Sequence, residues 1–215
     1  MNRTADVVIV GAGVIGSATA FELAKRGYKT LNIDKLPASG YGSTSNSCAI
    51  VRAHYSTWDG VAMAYEGFFY WDDWNKYLEV EDERGMAKYM KTGSIMFMLK
   101  GADHSKKSLN LFKEIGVEHE IWDLETLKKK MPIYSHDSYN GTSRPDEDDS
   151  FFDKSGDQIE GAVWTPGSGY VSDPQLATHN LQVATEAKGG EFLFDAEITE
   201  IRQSKGQIQG VTLKS

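Results

Sequence analysis

Ala5-Asp6-Val7-Val8-Ile9-Val10-Gly11-Ala12-Gly13-Val14-Ile15-Gly16, with Lys29-Thr30-Leu31-Asn32-Ile33-Asp34 beyond it, is the stretch whose reading decides the fold. Ala5 to Val10 is short and nearly all apolar, the pattern of a strand buried on both faces of a parallel sheet. Val14, Ala18, Phe21, Leu23 and Ala24 then recur at roughly helical spacing up to Gly27, which stands where a helix would stop. Lys29 to Ile33 reads as a second strand, closed by Asp34. Between first strand and helix, Gly11, Gly13 and Gly16 fit G-x-G-x-x-G. The first glycine permits the tight turn, the second lets backbone approach a pyrophosphate, and the third lets helix pack closely on strand. Val14 and Ile15 open the helix, so their amides face the phosphates. Asp34, followed by Lys35, stands where a carboxylate accepts the ribose hydroxyls. Such a glycine string is common by itself. Set after a strand, at the start of a helix and with an acidic residue closing the next strand, it specifies a βαβ unit that holds the ADP end of a dinucleotide.

NAD, NADP and FAD share that ADP half. Asp34 disfavours NADP, because a 2′-phosphate beside a carboxylate is repelled. A nicotinamide domain would continue with another helix–strand repeat. This chain instead enters Ala38-Ser39-Gly40-Tyr41-Gly42-Ser43-Thr44-Ser45-Asn46, a loop with many backbone donors, and then two segments dense in aromatics. A loop of this composition can lie along the pyrophosphate and ribityl chain of a longer cofactor, with Gly42, Ser43, Thr44, Ser45 and Asn46 supplying contacts. FAD is therefore favoured, with an NAD-dependent dehydrogenase as the rival reading.

Further along, a second helix is expected to begin near Ser45 or Asn46. Val61 to Tyr77 carries Ala62, Tyr65, Phe68, Phe69, Trp71 and Trp74, a helical pattern expected to pack in a core. Strand, helix and strand follow over Gly93–Leu99, Ser105–Ile115 and Val117–Trp122. Asp123 caps a short helix, Leu124–Lys130, that Pro132 keeps from continuing. Ser135 to Gln158 is polar, acidic and without period, which predicts a solvated loop and no metal site. Ala162–Thr165 is a strand, Pro166 to Gly169 a turn, and Asp173-Pro174 the cap and first turn of a helix reaching Lys188. Three short strands follow, Glu191–Phe194, Glu197–Gln203 and Gln207–Lys214, the last two joined by Ser204-Lys205-Gly206 in a hairpin. The fold class expected is α/β: a Rossmann-like FAD-binding domain over residues 1–85 and 161–215, with part of a mixed α+β substrate domain over 86–160.

At 215 residues, 40% of them hydrophobic, the chain has enough apolar material for a real core. Its net charge of −8 argues against nucleic acid and anionic membrane as partners, since a polyanion is repelled over most of the exterior. Cys48 is the only cysteine, which excludes an internal disulfide and fits a reducing compartment; it is expected to be a small buried hydrophobe. The absence of a secretory pattern and of a run of about 18 apolar residues predicts a cytoplasmic protein without a membrane span.

Ala5–Lys35, Gly42–Tyr55 and Gly161–Ser215 together resemble the amino-terminal half of the D-amino-acid oxidase superfamily of flavoproteins, nearest to its sarcosine oxidase-like and dimethylglycine dehydrogenase-like members. Asn46-Ser47-Cys48-Ala49-Ile50-Val51-Arg52-Ala53-His54-Tyr55 is similar to the family's segment beneath the flavin, in which the arginine matching Arg52 binds the substrate carboxylate. Gly161-Ala162-Val163-Trp164-Thr165-Pro166 and Gly169-Tyr170-Val171-Ser172-Asp173-Pro174 resemble the strand and helix start before a second flavin-contacting segment. The resemblance implies an FAD-dependent oxidation of a small secondary or tertiary amino acid to an imine, with Arg52 clamping the carboxylate and His54 and Tyr55 beside it in the site. Ala49 stands where monomeric sarcosine oxidases carry a further basic residue, so the chain looks more like the β-subunit type. The family's second half, with its flavin-contacting Asn-Ala-Ala-Gly segment, has no counterpart here. A fragment, or a subunit whose partner chain supplies the rest, is the alternative to an independent enzyme.

Overall fold

The computed structural model describes residues 3–101, 103–139 and 144–214. The termini and residues 140–143 of the expected acidic loop lie outside them. In chain order the elements are β1 (Val7–Val10), α1 (Val14–Lys25), β2 (Thr30–Ile33), β3 (Ile50–Val51), α2 (Trp58–Asp72), α3 (Trp74–Leu78), β4 (Tyr89–Met90) and β5 (Ser94–Met98). There follow α4 (His104–Ile115), β6 (Glu120–Asp123), α5 (Leu124–Lys130), β7 (Asp137–Tyr139), β8 (Lys154–Gln158) and β9 (Gly161–Thr165). The last are β10 (Gly169–Val171), α6 (Pro174–Ala187), β11 (Glu191–Leu193), β12 (Ile198–Ser204) and β13 (Gln207–Leu213). The chain divides into two compact units, one of Met1–Ile50, Tyr70–Met90 and Tyr170–Ser215, the other of Val51–Phe69 and Lys91–Gly169.

The first unit is built on a parallel sheet of order β1-β2-β11. Val7 to Val10 run beside Thr30 to Ile33, and Glu191 to Leu193 lie on the other side of Leu31 to Ile33. Parallel neighbours need a crossover, which α1 supplies between β1 and β2. β2 is buried along its whole length, whereas β1 is half-buried with Val10 64% exposed. The full burial expected of the first strand thus belongs to the second, because β1 is an edge of this sheet among the described residues. Gly27, at φ +87°, ends α1 as expected, its amide donating to Ala24 O and that of Tyr28 to Leu23 O. The Asp173 carboxylate caps α6 by accepting from Leu176 N at 2.9 Å, with Pro174 in the first turn, and α6 packs along α1. β12 and β13 form the expected hairpin; Lys205 and Gly206 both have positive φ, as a two-residue turn requires.

A buried polar network joins α3, the segment before β4, and α6. Asn180 Oδ1 accepts from Ala87 N at 2.9 Å and Trp74 Nε1 at 3.3 Å, while its amide donates to Asp82 Oδ2 and to Gly85 O. His179 bonds the same Asp82 oxygen at 2.6 Å. Burial pushes the Asp82 carboxyl up, but the Arg84 amide, His179 and Asn180 outweigh it and hold the pKa below the usual range.

The second unit is a layer of antiparallel strands, β5-β9-β6, with helices over it. Its main core joins Ala53, Val61, Phe68, Phe112, Val117 and Val163, and a second cluster joins Trp122, Leu127, Ile159 and Ala162. Asp123 caps α5 as read from the sequence, accepting from Thr126 N at 2.8 Å.

Four expectations are corrected. No helix begins at Ser45: residues 39–46 are a run of turns. The Ala49 amide, which would donate to Ser45 O in the first turn of such a helix, donates instead to Ser47 Oγ at 3.2 Å, and Ala49 itself has φ +50°. The aromatic stretch is two helices rather than one, and it is not wholly buried, since Phe69 and Tyr70 are exposed. The polar stretch Ser135–Gln158 contains an antiparallel pair, β7 with β8. Cys48 is exposed, not buried. Among the described residues no helix is long and apolar enough to cross a membrane.

Candidate functional site: a glycine cradle and an arginine–histidine cluster

In the first unit the glycine motif turns the chain from β1 into α1. Gly11 has φ +99°, a conformation that a side chain would strain. A Cβ on Gly16 would overlap the Gly11 carbonyl oxygen, so this glycine is what lets α1 start so close to the loop. A Cβ on Gly13 would lie 3.1 Å from Thr44 Oγ1. The first intrahelical bond runs from Ser17 N to Gly13 O, so the amides of Val14, Ile15 and Gly16 all lie ahead of it at the positive end of the helix. Gly13, at the N-cap, offers no side chain to these donors, and the first turn has no acidic residue. Thr44 Oγ1 accepts from Val14 N at 3.1 Å. Ile15 is exposed.

Asp34 stands at the end of β2, as read from the sequence. Its Oδ2 accepts from Ala12 N at 2.7 Å and its Oδ1 from Leu36 N at 2.9 Å. The carboxylate therefore orders the glycine loop, a role the sequence reading did not assign to it. Each oxygen keeps a further lone pair for another donor. The Gly40 amide donates to Ala12 O at 2.8 Å and so ties the Ser/Gly/Thr loop to the same turn. Within that loop Gly42 O receives Ser45 Oγ at 3.1 Å and Asn46 Nδ2 at 3.0 Å. Lys35 and Ser43 are exposed.

In the second unit Arg52, His54 and Tyr55 are brought together. Arg52 Nη1 donates to the His54 main-chain oxygen at 2.6 Å, and its guanidinium carbon lies 5.3 Å from the Tyr55 ring centre. The His54 ring lies 5.6 Å from that of Phe112, and its Nε2 is 2.9 Å from Thr165 Oγ1. Burial, assisted by the Arg52 charge, pushes the His54 pKa down to about 4, so the imidazole is neutral near pH 7. Thr165 is the node of a hydroxyl cluster, 2.8 Å from Ser94 Oγ and 3.0 Å from Ser168 Oγ. Sequence reasoning missed Ser94, Thr165 and Ser168 because only the pairing of β5 with β9 and the turn after β9 bring them beneath His54.

A parallel βαβ unit with a three-glycine turn and a carboxylate closing the second strand defines the Rossmann-like, dinucleotide-fold class. Comparison with known proteins identifies the group within that class: the chain belongs to the DAO family, FAD dependent oxidoreductases, whose model matches residues 6–215. It is 26% identical over 200 residues to a monomeric sarcosine oxidase of Streptomyces avermitilis, covering 93% of this chain and 45% of that protein. It is 25% identical over 239 residues to a D-amino acid dehydrogenase of Rhodopseudomonas palustris, covering 96% and 56%. Among solved structures, the L-proline dehydrogenase of P. horikoshii shares the fold with a TM-score of 0.77 at 21% identity, over 99% of this chain and 50% of that one. The chain spans about half the length of the relatives it matches.

Proposed function

We propose that the chain carries the FAD-holding residues and the substrate-carboxylate residue of an oxidoreductase acting on a small secondary or tertiary amino acid of the sarcosine or dimethylglycine kind. The carrying observation is the glycine turn: amides ahead of the first helical bond, a glycine at the N-cap, and Asp34 anchored beside them with lone pairs to spare. These residues fit the ADP moiety of FAD. Gly11, Gly13 and Gly16 keep side chains out of the pyrophosphate's approach, Val14 and Ile15 offer amides to it, and Asp34 accepts ribose hydroxyls. In this reading Thr44 stands in for a phosphate oxygen on Val14 N, and the loop Gly42–Asn46, with Lys35, borders the same moiety. The division into FAD-binding residues 1–85 and 161–215 and a substrate-side segment 86–160 belongs to the proposal, as does a cytoplasmic place of action.

When bound, FAD supplies the acceptor for the hydride equivalent leaving the carbon next to nitrogen, and the substrate becomes an imine. The protein's own part is orientation. Arg52 retains guanidinium donors besides the one on His54 O, enough for a bidentate carboxylate pair. Holding the carboxylate at two points fixes the amino acid's direction, which converts binding into rate. Neutral His54 adds no second charge beside Arg52, and Tyr55 presents an exposed ring against the guanidinium.

A second reading has a specific support: the chain spans about half of its relatives. On that reading it binds FAD or ADP without independent catalysis and works with a partner chain or a further carboxy-terminal half. The test is to titrate sarcosine and N,N-dimethylglycine into flavin-loaded protein while following the flavin spectrum, with Arg52→Gln alongside. Bleaching by either amino acid, lost in Arg52→Gln, supports the enzyme; flavin retained without bleaching supports the subunit reading; NAD bound in place of flavin overturns both.

A further inference from the structure

The hydroxyl cluster beneath His54 is built too fully to be incidental. Thr165 and Ser168 are completely buried, and Thr165 Oγ1 has four polar neighbours: Ser94 Oγ at 2.8 Å, His54 Nε2 at 2.9 Å, Ser168 Oγ at 3.0 Å and Ser94 O at 3.4 Å. A hydroxyl has one proton to give and two lone pairs. Thr165 gives its proton to one of the three short contacts and accepts from the other two; with Ser94 and Ser168 as the donors, that proton goes to His54 Nε2. Nδ1 then carries the imidazole proton. The site holds the ring from a second side through Phe112 of α4, 5.6 Å away. The Arg52 charge acts on the ring, Tyr55 lies against the Arg52 guanidinium, and the His119 ring lies 5.6 Å from that of Phe112.

His54 is thus clamped at its edge and on its face, while its main-chain oxygen receives Arg52 Nη1 at 2.6 Å. We propose that Thr165 is a positioning residue: with Ser94 and Ser168 it fixes His54 in the Nδ1–H tautomer, and through the His54 carbonyl it aims the Arg52 guanidinium at the substrate carboxylate. The aiming step rests on the reading of Arg52 given above; the tautomer step does not. The device explains why a neutral imidazole is packed beside the arginine. A second cation would compete for the carboxylate, and an unanchored ring would let the His54 carbonyl drift from the guanidinium.

The test uses the whole chain labelled with 15N-histidine, whose ring nitrogen shifts report the tautomer, together with acetate as a carboxylate probe. The wild type is expected to show His54 in one Nδ1–H tautomer at pH 7. Thr165→Val keeps the shape and deletes the node; it should mix the tautomers and weaken acetate binding at least 5-fold. Thr165→Ser should restore both. Should Thr165→Val not fold, the double variant Ser94→Ala/Ser168→Ala removes both donors to Thr165 and carries the same test. An unchanged tautomer in these variants, with acetate affinity within 2-fold of wild type, overturns the proposal. Arg52→Gln separates the two claims: if it leaves acetate binding intact, the carboxylate reading of Arg52 fails, while the tautomer readout still judges the role of Thr165.

Discussion

Gly16→Ala sets two forces against each other with opposite signs. Gly16 lies in the first turn of α1, and in an unconstrained helix replacing glycine with alanine stabilises by about 1 kcal/mol. Here the added Cβ would overlap the Gly11 carbonyl oxygen, lie 3.0 Å from that carbonyl's carbon, and approach Ile9 Cγ2 to 3.5 Å. The oxygen is the nearer obstacle, and carbon–oxygen contacts need about 3.3–3.6 Å, so α1 must move off the loop by about 1 Å or more. That movement loosens Ser17, Ala20, Phe21 and Ala24, the buried face of the helix. Overpacking of this kind costs about 1–3 kcal/mol, and with backbone as the obstacle the upper figure applies. Net of the helix gain, the variant should lose about 2 kcal/mol, a fall in Tm of roughly 4–8 °C for a chain of this size. Thermal unfolding followed by circular dichroism measures it. A Tm equal to or above that of the wild type would refute the claim that Gly16 serves close packing of helix on loop.

Three further outcomes follow from the same reasoning. His54 has a folded-state pKa near 4, below the usual 6.5, so the unfolded chain binds more protons between those values and stability falls as pH drops from 6.5 to 4. The full shift corresponds to about 3 kcal/mol; half-burial of the ring and solvent screening bring it to about 1–2 kcal/mol, seen as a shallower pH dependence of urea unfolding in His54→Asn than in the wild type. Asn180→Ala strips partners from Trp74 Nε1, the Ala87 amide and Asp82, and should cost about 3–5 kcal/mol by urea unfolding. Asp173→Ala removes the α6 cap and should cost about 1 kcal/mol, with its effect confined to stability.

The βαβ unit was legible because its signals are local: an apolar run, three glycines at fixed spacing and an acidic residue closing a strand all lie between Val7 and Asp34. The caps Asp123 and Asp173 were legible for the same reason. The β7–β8 pair was not, because every residue of β8 is exposed and no apolar alternation marks it. Cys48 was expected inside on the preference of its residue type, a preference the exposed turn around it overrides. Arg52, His54 and Tyr55 could be named from one contiguous segment. Thr165, at 111 residues from His54, could not be joined to it, since only strand pairing in the second unit makes them neighbours. Asp34 was placed correctly but given one role. Its bond to Ala12 N shows that a carboxylate at this position also shapes the loop it serves.

On the proposed function, the glycine turn and Asp34 hold the ADP end of FAD. Calorimetric titration of the whole chain with FAD, ADP and NADP, repeated on Gly13→Val, tests it most directly. FAD and ADP should both bind, NADP more weakly because its 2′-phosphate meets Asp34, and Gly13→Val should abolish binding while its circular dichroism stays that of the wild type. A folded chain that binds neither FAD nor ADP, or a Gly13→Val variant that binds them as well as the wild type, would contradict the account.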